Sequence, residues 1–248
     1  MNDGILIIDK PEGITSAKIV LKIKKVLNLN KAGHTGTLDP FATGVLVLCL
    51  NRCTKKAPYF FNMDKTYSGT MILGISTDTQ DLTGRVIKVC TKKRPKLTLG
   101  EIKNVFRMFQ GEIWQTPPMF SAIKSRGGPL YKLARKGIEI EITPRKIQIF
   151  QLTVLNLRWD KYPSIGFEVK CSKGTYIRTL CSDIGEYLGC GAYLSKLRRI
   201  KVGEISINQS IPMDKFMEMS SEKQRQYILP CSTVINQISQ TEITQNIK

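Results

Sequence analysis

Apolar and polar positions along the chain fall into runs of different period, and each change of period marks an element. Gly4 to Asp9 (GILIID) is a continuous apolar run that stops at Lys10-Pro11-Glu12-Gly13, which predicts a buried strand entering a turn. Thr15 or Ser16 can cap a helix whose Ile19, Val20, Ile23, Val26 and Leu27 recur near every 3.6 residues. Lys18, Lys22 and Lys25 fall on the opposite side, a solvated face or a surface that meets phosphates. Asn28 to Pro40 is polar and glycine-bearing and is expected as a loop, and Val45 to Leu50 (VLVLCL) as an interior strand. Further strands are predicted at Tyr67 to Leu73, Arg85 to Val89, Lys146 to Leu157, Ile165 to Cys171 and Lys201 to Ile207. Helices are predicted at Thr98 to Phe109, where Leu99, Ile102, Val105, Phe106 and Phe109 share a face, and at Thr175 to Leu188. Strands and helices mixed without a regular βαβ rhythm predict an α+β domain.

Between Trp114 and Arg145 the pattern breaks. Pro117, Pro118, Gly127, Gly128 and Pro129 interrupt it, while Lys124, Arg126, Lys132, Arg135, Lys136 and Arg145 add charge, so a mobile basic insertion is expected. The residues from about Gln237 are polar and expected to fray. There is no internal repeat and no low-complexity tract.

Composition narrows the partner more than the fold. The 38 Lys and Arg outnumber 20 Asp and Glu and leave a net charge of +18, which points to a polyanion and to binding that weakens with salt. No apolar run approaches the roughly 20 residues of a membrane span, and the N-terminus does not resemble a signal peptide, so a cytoplasmic protein without membrane association is expected. Seven cysteines at 49, 53, 90, 171, 181, 190 and 231 lack a disulfide rhythm and read as reduced thiols. With His34 the only histidine, the spacings fit no structural zinc site, and no metal is expected.

The chemistry-bearing candidate is Gly33-His34-Thr35-Gly36-Thr37-Leu38-Asp39-Pro40. Pro40 pushes Asp39 away from helical dihedrals and suits the first position of a helical turn, so Asp39 reads either as a helix N-cap or as a reactive carboxylate. The glycines at 33, 36 and 44 do not form a phosphate loop, because no Gly-Lys-Ser/Thr follows at the required spacing; they permit close backbone approach.

GHTGTLDPFATGVLVL closely resembles the signature of the TruB family of tRNA pseudouridine synthases, and other segments resemble the same family in order. These are ILIIDKPEG, Asp64-Lys65-Thr66-Tyr67, Thr77-Asp78-Thr79, CSKGTYIRTL at 171 to 180, LGCGAYL at 188 to 194 and KLRRI at 196 to 200, together running from about Gly4 to Ile207. The resemblance implies the pseudouridine synthase fold, a central mixed and largely antiparallel sheet flanked by helices. It implies a catalytic domain over 1–210, with the insertion of about 115–143 gripping RNA. Residues 211–248 are expected to be a short C-terminal extension, too small for the PUA module that many bacterial members carry.

The implied activity is isomerisation of a T-loop uridine of tRNA, uridine-55, on a flipped-out base, with no cofactor. Asp39 would be the nucleophile, at ribose C1′ or at uracil C6. Tyr67 would stack on the base and help remove the C5 proton, and Arg178 would pair with the catalytic carboxylate. Tyr176 and Leu197 would line the uracil pocket, and His34 would fill the space left by the flipped nucleotide. Lys10 and Pro11 would support the catalytic loop. The bland readings are a strand aromatic for Tyr67, a surface arginine for Arg178, a loop residue for His34, and packing for Tyr176 and Leu197. The partner is expected to be the T stem-loop of tRNA and the protein a monomer. The alternative is a tRNA-binding or tRNA-folding factor whose catalysis is secondary or lost. An RNA methyltransferase is disfavoured, since no glycine-rich strand-turn-helix loop for a methyl donor is evident.

Overall fold

A computed structural model of the chain describes residues 3–90, 97–121, 123–125, 128–138 and 140–236. The tail from 237, expected to fray, and Arg126 and Gly127 of the insertion lie outside the described residues. In chain order the first elements are β1 (Gly4–Lys10), α1 (Ser16–Val26), β2 (Ala32–His34), β3 (Thr43–Leu50), α2 (Ala57–Asn62), β4 (Lys65–Leu73), β5 (Ile75–Thr77) and β6 (Val86–Val89). There follow α3 (Leu99–Met108), β7 (Gly111–Gln115), β8 (Lys124–Ser125), β9 (Gly128–Pro129), α4 (Leu130–Ala134), β10 (Arg145–Arg158), β11 (Ser164–Cys171) and α5 (Ile177–Tyr187). The chain continues with β12 (Ala192–Val202), β13 (Ile205–Ser206), β14 (Ile211–Pro212), α6 (Met213–Glu218) and α7 (Ser221–Gln226). The mixed sheet with flanking helices is the α+β, pseudouridine synthase fold expected from the sequence. The chain divides into two compact units, 1–67 with 197–248, and 68–196, and β4 and β12 run from one into the other.

The first unit is built on β1 and β3, paired antiparallel from Gly4↔Leu50 to Lys10↔Gly44. Successive side chains of a strand point to opposite faces, and here both faces are covered. Leu6, Ile8, Leu46, Leu48 and Leu50 pack with Ile19 and Ile23 of α1 and with Ile211, Met213 and Phe216. Ile5, Ile7, Val45, Val47 and Cys49 pack with Cys53, Phe60, Val202, Ile205 and Val234. That double burial is why both strands read as unbroken apolar runs rather than alternating ones. Helix α1 starts at the expected cap, where the Thr15 hydroxyl accepts from the Lys18 N–H.

Two expectations change here. Part of the loop predicted over Asn28 to Pro40 is a strand, β2, whose Ala32, Gly33 and His34 pair with Leu50, Cys49 and Leu48. Backbone pairing of three half-buried residues leaves no hydrophobic signature, so patterning could not register it. The strand predicted over Lys201 to Ile207 is instead the end of β12, a turn at Gly203 (φ 53°) and β13. Most of β12 escaped the pattern because one of its buried positions is an arginine, Arg199.

In the second unit the strand order is β12-β4-β11-β10-β7. Strand β10 pairs antiparallel with β11 and β7, and its register shifts between Ile149 and Gln151 and between Val154 and Asn156. The strand itself is predicted over Lys146 to Leu157; the bulges, which turn Phe150 and Leu155 outward, are not. Helix α3 carries a reciprocal cap in which Thr98 and Glu101 exchange hydrogen bonds. The described part of the insertion holds the β8–β9 ladder and α4, which buries Leu130; Lys132 on α4 and Arg135 and Lys136 just beyond it are exposed.

Candidate active site

The segment carrying Asp39 is the excursion of the first unit between β2 and β3. The far edge of β3 is shared: β2 takes Leu48 to Leu50, and β12 joins in parallel at Thr43 and Gly44. Residues 35–42 leave the sheet between these two pairings. Asp39 is not a helix cap. It opens a β-turn in which Ala42 N–H donates to Asp39 O at 3.1 Å, with Pro40 second, the position its fixed φ favours.

Buried side chains hold this excursion by its backbone. Lys10, wholly buried, donates from Nζ to Pro11 O (2.8 Å), Pro40 O (3.1 Å) and Ala42 O (2.6 Å). Ser16 Oγ donates to Leu38 O at 3.1 Å and accepts from Leu38 N–H at 2.9 Å. Arg199 donates from Nε to Val45 O at 2.7 Å and from Nη2 to Gly36 O at 3.0 Å. Lys65, two residues before Tyr67, is also buried and donates to Phe61 O at 2.7 Å. Buried cations are costly unless hydrogen-bonded, and these three spend their donors on carbonyls.

The result is a rigid turn with positive charge behind it and one carboxylate, that of Asp39, upon it. Burial pulls the Lys10 ammonium down to about 8, against the attraction of Asp39 and Glu12, while Arg199 pushes the same way as burial. Burial, followed by Arg199, likewise lowers the His34 imidazole below its ordinary value and keeps it neutral near pH 7. His34 Nδ1 is buried and meets no hydrogen-bond partner among the described residues. Gly44 (φ 105°) is required by packing: a Cβ there would lie 2.2 Å from the Arg199 carbonyl oxygen.

The second unit builds a separate arrangement around Arg178. This residue lies in the first turn of α5 and is 3% exposed, so it is not a surface arginine. Its Nη1 donates to Thr79 O at 3.0 Å and its Nη2 to Phe120 O at 2.9 Å. Nη1 also lies 3.5 Å from Asp81 Oδ2. Asp81 is itself held, accepting at Oδ1 from Thr79 Oγ1 (2.8 Å), Thr83 Oγ1 (2.6 Å) and Thr83 N–H (2.9 Å). The guanidinium is therefore fixed in plane and position. Tyr176 is set by its backbone, which exchanges hydrogen bonds with the buried Gln115 side chain at 2.8 and 3.1 Å.

Of the six residues singled out from the sequence, His34, Asp39, Tyr67 and Leu197 belong to the first unit, and Tyr176 and Arg178 to the second. Tyr67 on β4 and Leu197 on β12 are both 8% exposed. Of the supporting residues, the sequence offers Ser16 only as a possible helix cap and does not single out Asp81, Gln115 or Arg199. Arg199 lay in the quoted KLRRI and Asp81 two residues beyond Thr77-Asp78-Thr79, but only burial separates them from ordinary surface charge. Among the described residues no group of His, Cys, Asp and Glu could hold a metal ion, and no helix is long and apolar enough to cross a membrane.

Comparison with known proteins agrees with these motifs. Residues 24–177 match the TruB family pseudouridylate synthase N-terminal domain, and 178–236 match the tRNA pseudouridylate synthase B C-terminal domain. The tRNA pseudouridine synthase B of Syntrophus aciditrophicus is 41% identical over 99% of this chain and 77% of its own length. Its counterpart in Aquifex aeolicus is 42% identical over 97% of this chain and 82% of its own. Among solved structures, a chain of a Cbf5-Nop10-Gar1 complex superposes with a TM-score of 0.68 at 31% identity, covering 92% of this chain and 60% of that one. A chain of an H/ACA RNP bound to a substrate RNA containing 2′-deoxyuridine gives 0.65 at 29%, covering 92% and 59%. The present chain thus spans about 60% of the length of those solved chains. With a family match over more than half its residues and relatives above 40% identity along most of their own length, the chain belongs to the TruB family of pseudouridylate synthases.

Proposed function

We propose that this protein isomerises a uridine of tRNA to pseudouridine, that its target is uridine-55 of the T loop, and that Asp39 is the nucleophile. The observation that carries the reading is the Asp39 turn, a carboxylate on a backbone whose carbonyls at Gly36, Leu38, Pro40 and Ala42 are each engaged by a buried side chain. A helix cap or a core partner needs no such cradle; a group that must meet a reacting atom in one geometry does. Product and substrate are isomers. The bond from uracil N1 to ribose C1′ breaks, C5 bonds to C1′, and the C5 proton is lost while N1 gains one. No redox step or external group is involved, and a carboxylate that adds and leaves again divides the conversion in two.

Tyr67 and Arg178 are assigned with Asp39 to the catalytic set, and His34, Tyr176 and Leu197 to binding of the flipped nucleotide and its base. Neutral His34 supports a space-filling role better than that of an acid. The catalytic domain is assigned to 1–210, with 115–143 gripping the T stem-loop, in a cytoplasmic monomer.

The test is to incubate an unmodified tRNA transcript with the protein in metal-free buffer and map pseudouridine, alongside Asp39→Asn. Product at the T-loop uridine with the wild type, and loss of at least a thousandfold with the variant at retained tRNA binding, is the expected result. Equal product from the variant overturns the assignment of Asp39; no product from either leaves only an RNA-binding role.

A further inference from the structure

The lysine face of α1 finds a larger setting in the fold. Lys18, Lys22 and Lys25 project within roughly 60° of one another on the helix, opposite Ile19 and Ile23, which are wholly buried against β1 and β3. All three lysines are exposed, as is Lys24. Past the helix the chain turns at Asn28 (φ 48°) and reaches Lys31, which is stitched to the start of the segment 51–56. Asn51 N–H donates to Lys31 O at 2.8 Å, and Asn51 Oδ1 accepts from the N–H groups of Asn30 and Lys31 at 3.1 and 3.2 Å. Arg52, Lys55 and Lys56 are exposed on that segment. The stretches 16–31 and 51–56 pack over opposite faces of β1 and β3, meet at the Lys31–Asn51 junction, and together carry eight cations and no acidic residue; Lys18, Lys22 and Lys25 form a strip of them along α1.

Helix stability does not explain this arrangement. Lys24 and Lys25 sit in the last turn, where the helix dipole welcomes cations, but Lys18 sits in the first turn, where it does not. Lys18 and Lys22 are also i,i+4 neighbours of like charge. Among the described residues only Arg52 of the eight cations has a carboxylate within 4 Å, that of Asp3 at 3.6 Å. A strip that works against its own helix and goes uncompensated is suited to an external polyanion. Its position indicates which one: Lys31 lies immediately before β2, which leads through His34 into the Asp39 turn.

We infer that this strip, led by Lys18, Lys22 and Lys25, is a docking surface for the phosphate backbone of the duplex RNA stem that adjoins the target loop. The inference rests on the proposed tRNA reading for its partner. Lysines, as flexible point charges, suit a backbone tracked without sequence preference. A single exposed leucine on the strip, Leu21, is too little apolar surface for a membrane-binding helix.

The test uses the full chain with Lys18→Gln, Lys22→Gln and Lys25→Gln combined, beside a Lys→Arg triple at the same positions. Steady-state kinetics and equilibrium binding to a T stem-loop RNA are measured over a range of salt concentrations. For the Gln triple, KM and Kd rise about tenfold or more, kcat is unchanged, and the slope of log affinity against log salt falls in magnitude by about two. The Arg triple retains wild-type behaviour. Thermal unfolding of the Arg triple matches the wild type and that of the Gln triple is equal or slightly higher, because the replaced side chains are solvent-facing and the charges removed oppose the helix. Unchanged Kd and salt slope in the Gln triple overturn the inference, as does a loss of binding to phosphatidylserine vesicles with RNA binding intact. If the wild type binds the stem-loop but makes no pseudouridine, the catalytic reading fails while the binding comparison still decides the strip.

Discussion

At Lys10, burial and hydrogen bonding pull in opposite directions, and the side chain is kept because the turn needs its donors. With its ammonium brought down to about 8, Lys10 is charged at neutral pH and loses its proton in mildly alkaline solution. The neutral amine has fewer donors for Pro11, Pro40 and Ala42 and no charge to attract Asp39. Turnover is therefore expected to fall as pH rises through about 8, in a rate profile taken from pH 6 to 9.5; Lys10→Met should be slow throughout and lack that limb. The sign for stability is opposite. Between about 8 and 10.5 the unfolded chain holds this proton and the folded chain does not, so the Lys10 titration adds stability as pH rises. A fall in activity that tracks unfolding would contradict the account. Asp81 makes the complementary case. It supplies a carboxylate to buried Arg178, and Asp81→Ala leaves part of that charge uncompensated and three donors without their acceptor. Urea unfolding should show a loss of roughly 2–3 kcal/mol.

At the scale of elements, the Asp39 excursion depends on a strand being shared. Strand β3 gives one stretch of its edge to β2 and another to β12, and the chain between them is forced out as a turn. Gly44 lets β12 approach that closely. Gly44→Ala combines an unfavourable φ with a Cβ placed against the Arg199 backbone, and is expected to cost roughly 2–3 kcal/mol in thermal or urea unfolding. Its activity should fall further than stability alone accounts for, since Arg199 also holds Gly36 O. A variant as stable and active as the wild type would show that the β3–β12 junction tolerates slippage. Amphipathic elements such as α1, α3 and β10 were plain in the sequence because a single buried face imposes their period. Strands β2 and β12 were not, one being held by backbone pairing and the other burying an arginine.

Over the whole molecule, charge and chain economy matter most. With a net charge of +18, kcat/KM on tRNA should drop by more than a hundredfold between low and moderately high salt, read directly from initial rates; a shallow dependence would mean that few phosphates are contacted. Between 211 and 236 the chain contributes side chains to the packing of the first unit. Ile211, Met213, Phe216 and Val234 are buried in its two clusters, and Ile5 exchanges backbone hydrogen bonds with Leu229. Each such side chain contributes about 1.5–3 kcal/mol, so a chain ending at 210 is expected to lose cooperative unfolding, which circular dichroism would detect.

The order of motifs, the apolar strands, the capped helices and the basic excess are determined by the sequence itself, because each is local or additive: a period, a cap, a sum of charges. Asp39 could be singled out there, but the bare physics of its segment favours a helix cap. Only the tertiary structure decided that it opens a turn clamped by Lys10, Ser16 and Arg199, residues that come from opposite ends of the chain. The reason is physical. Whether a lysine or arginine is solvated or buried depends on what long-range pairing places over it, and in this protein the buried cations Lys10, Lys65, Arg178 and Arg199 look in sequence like the exposed ones.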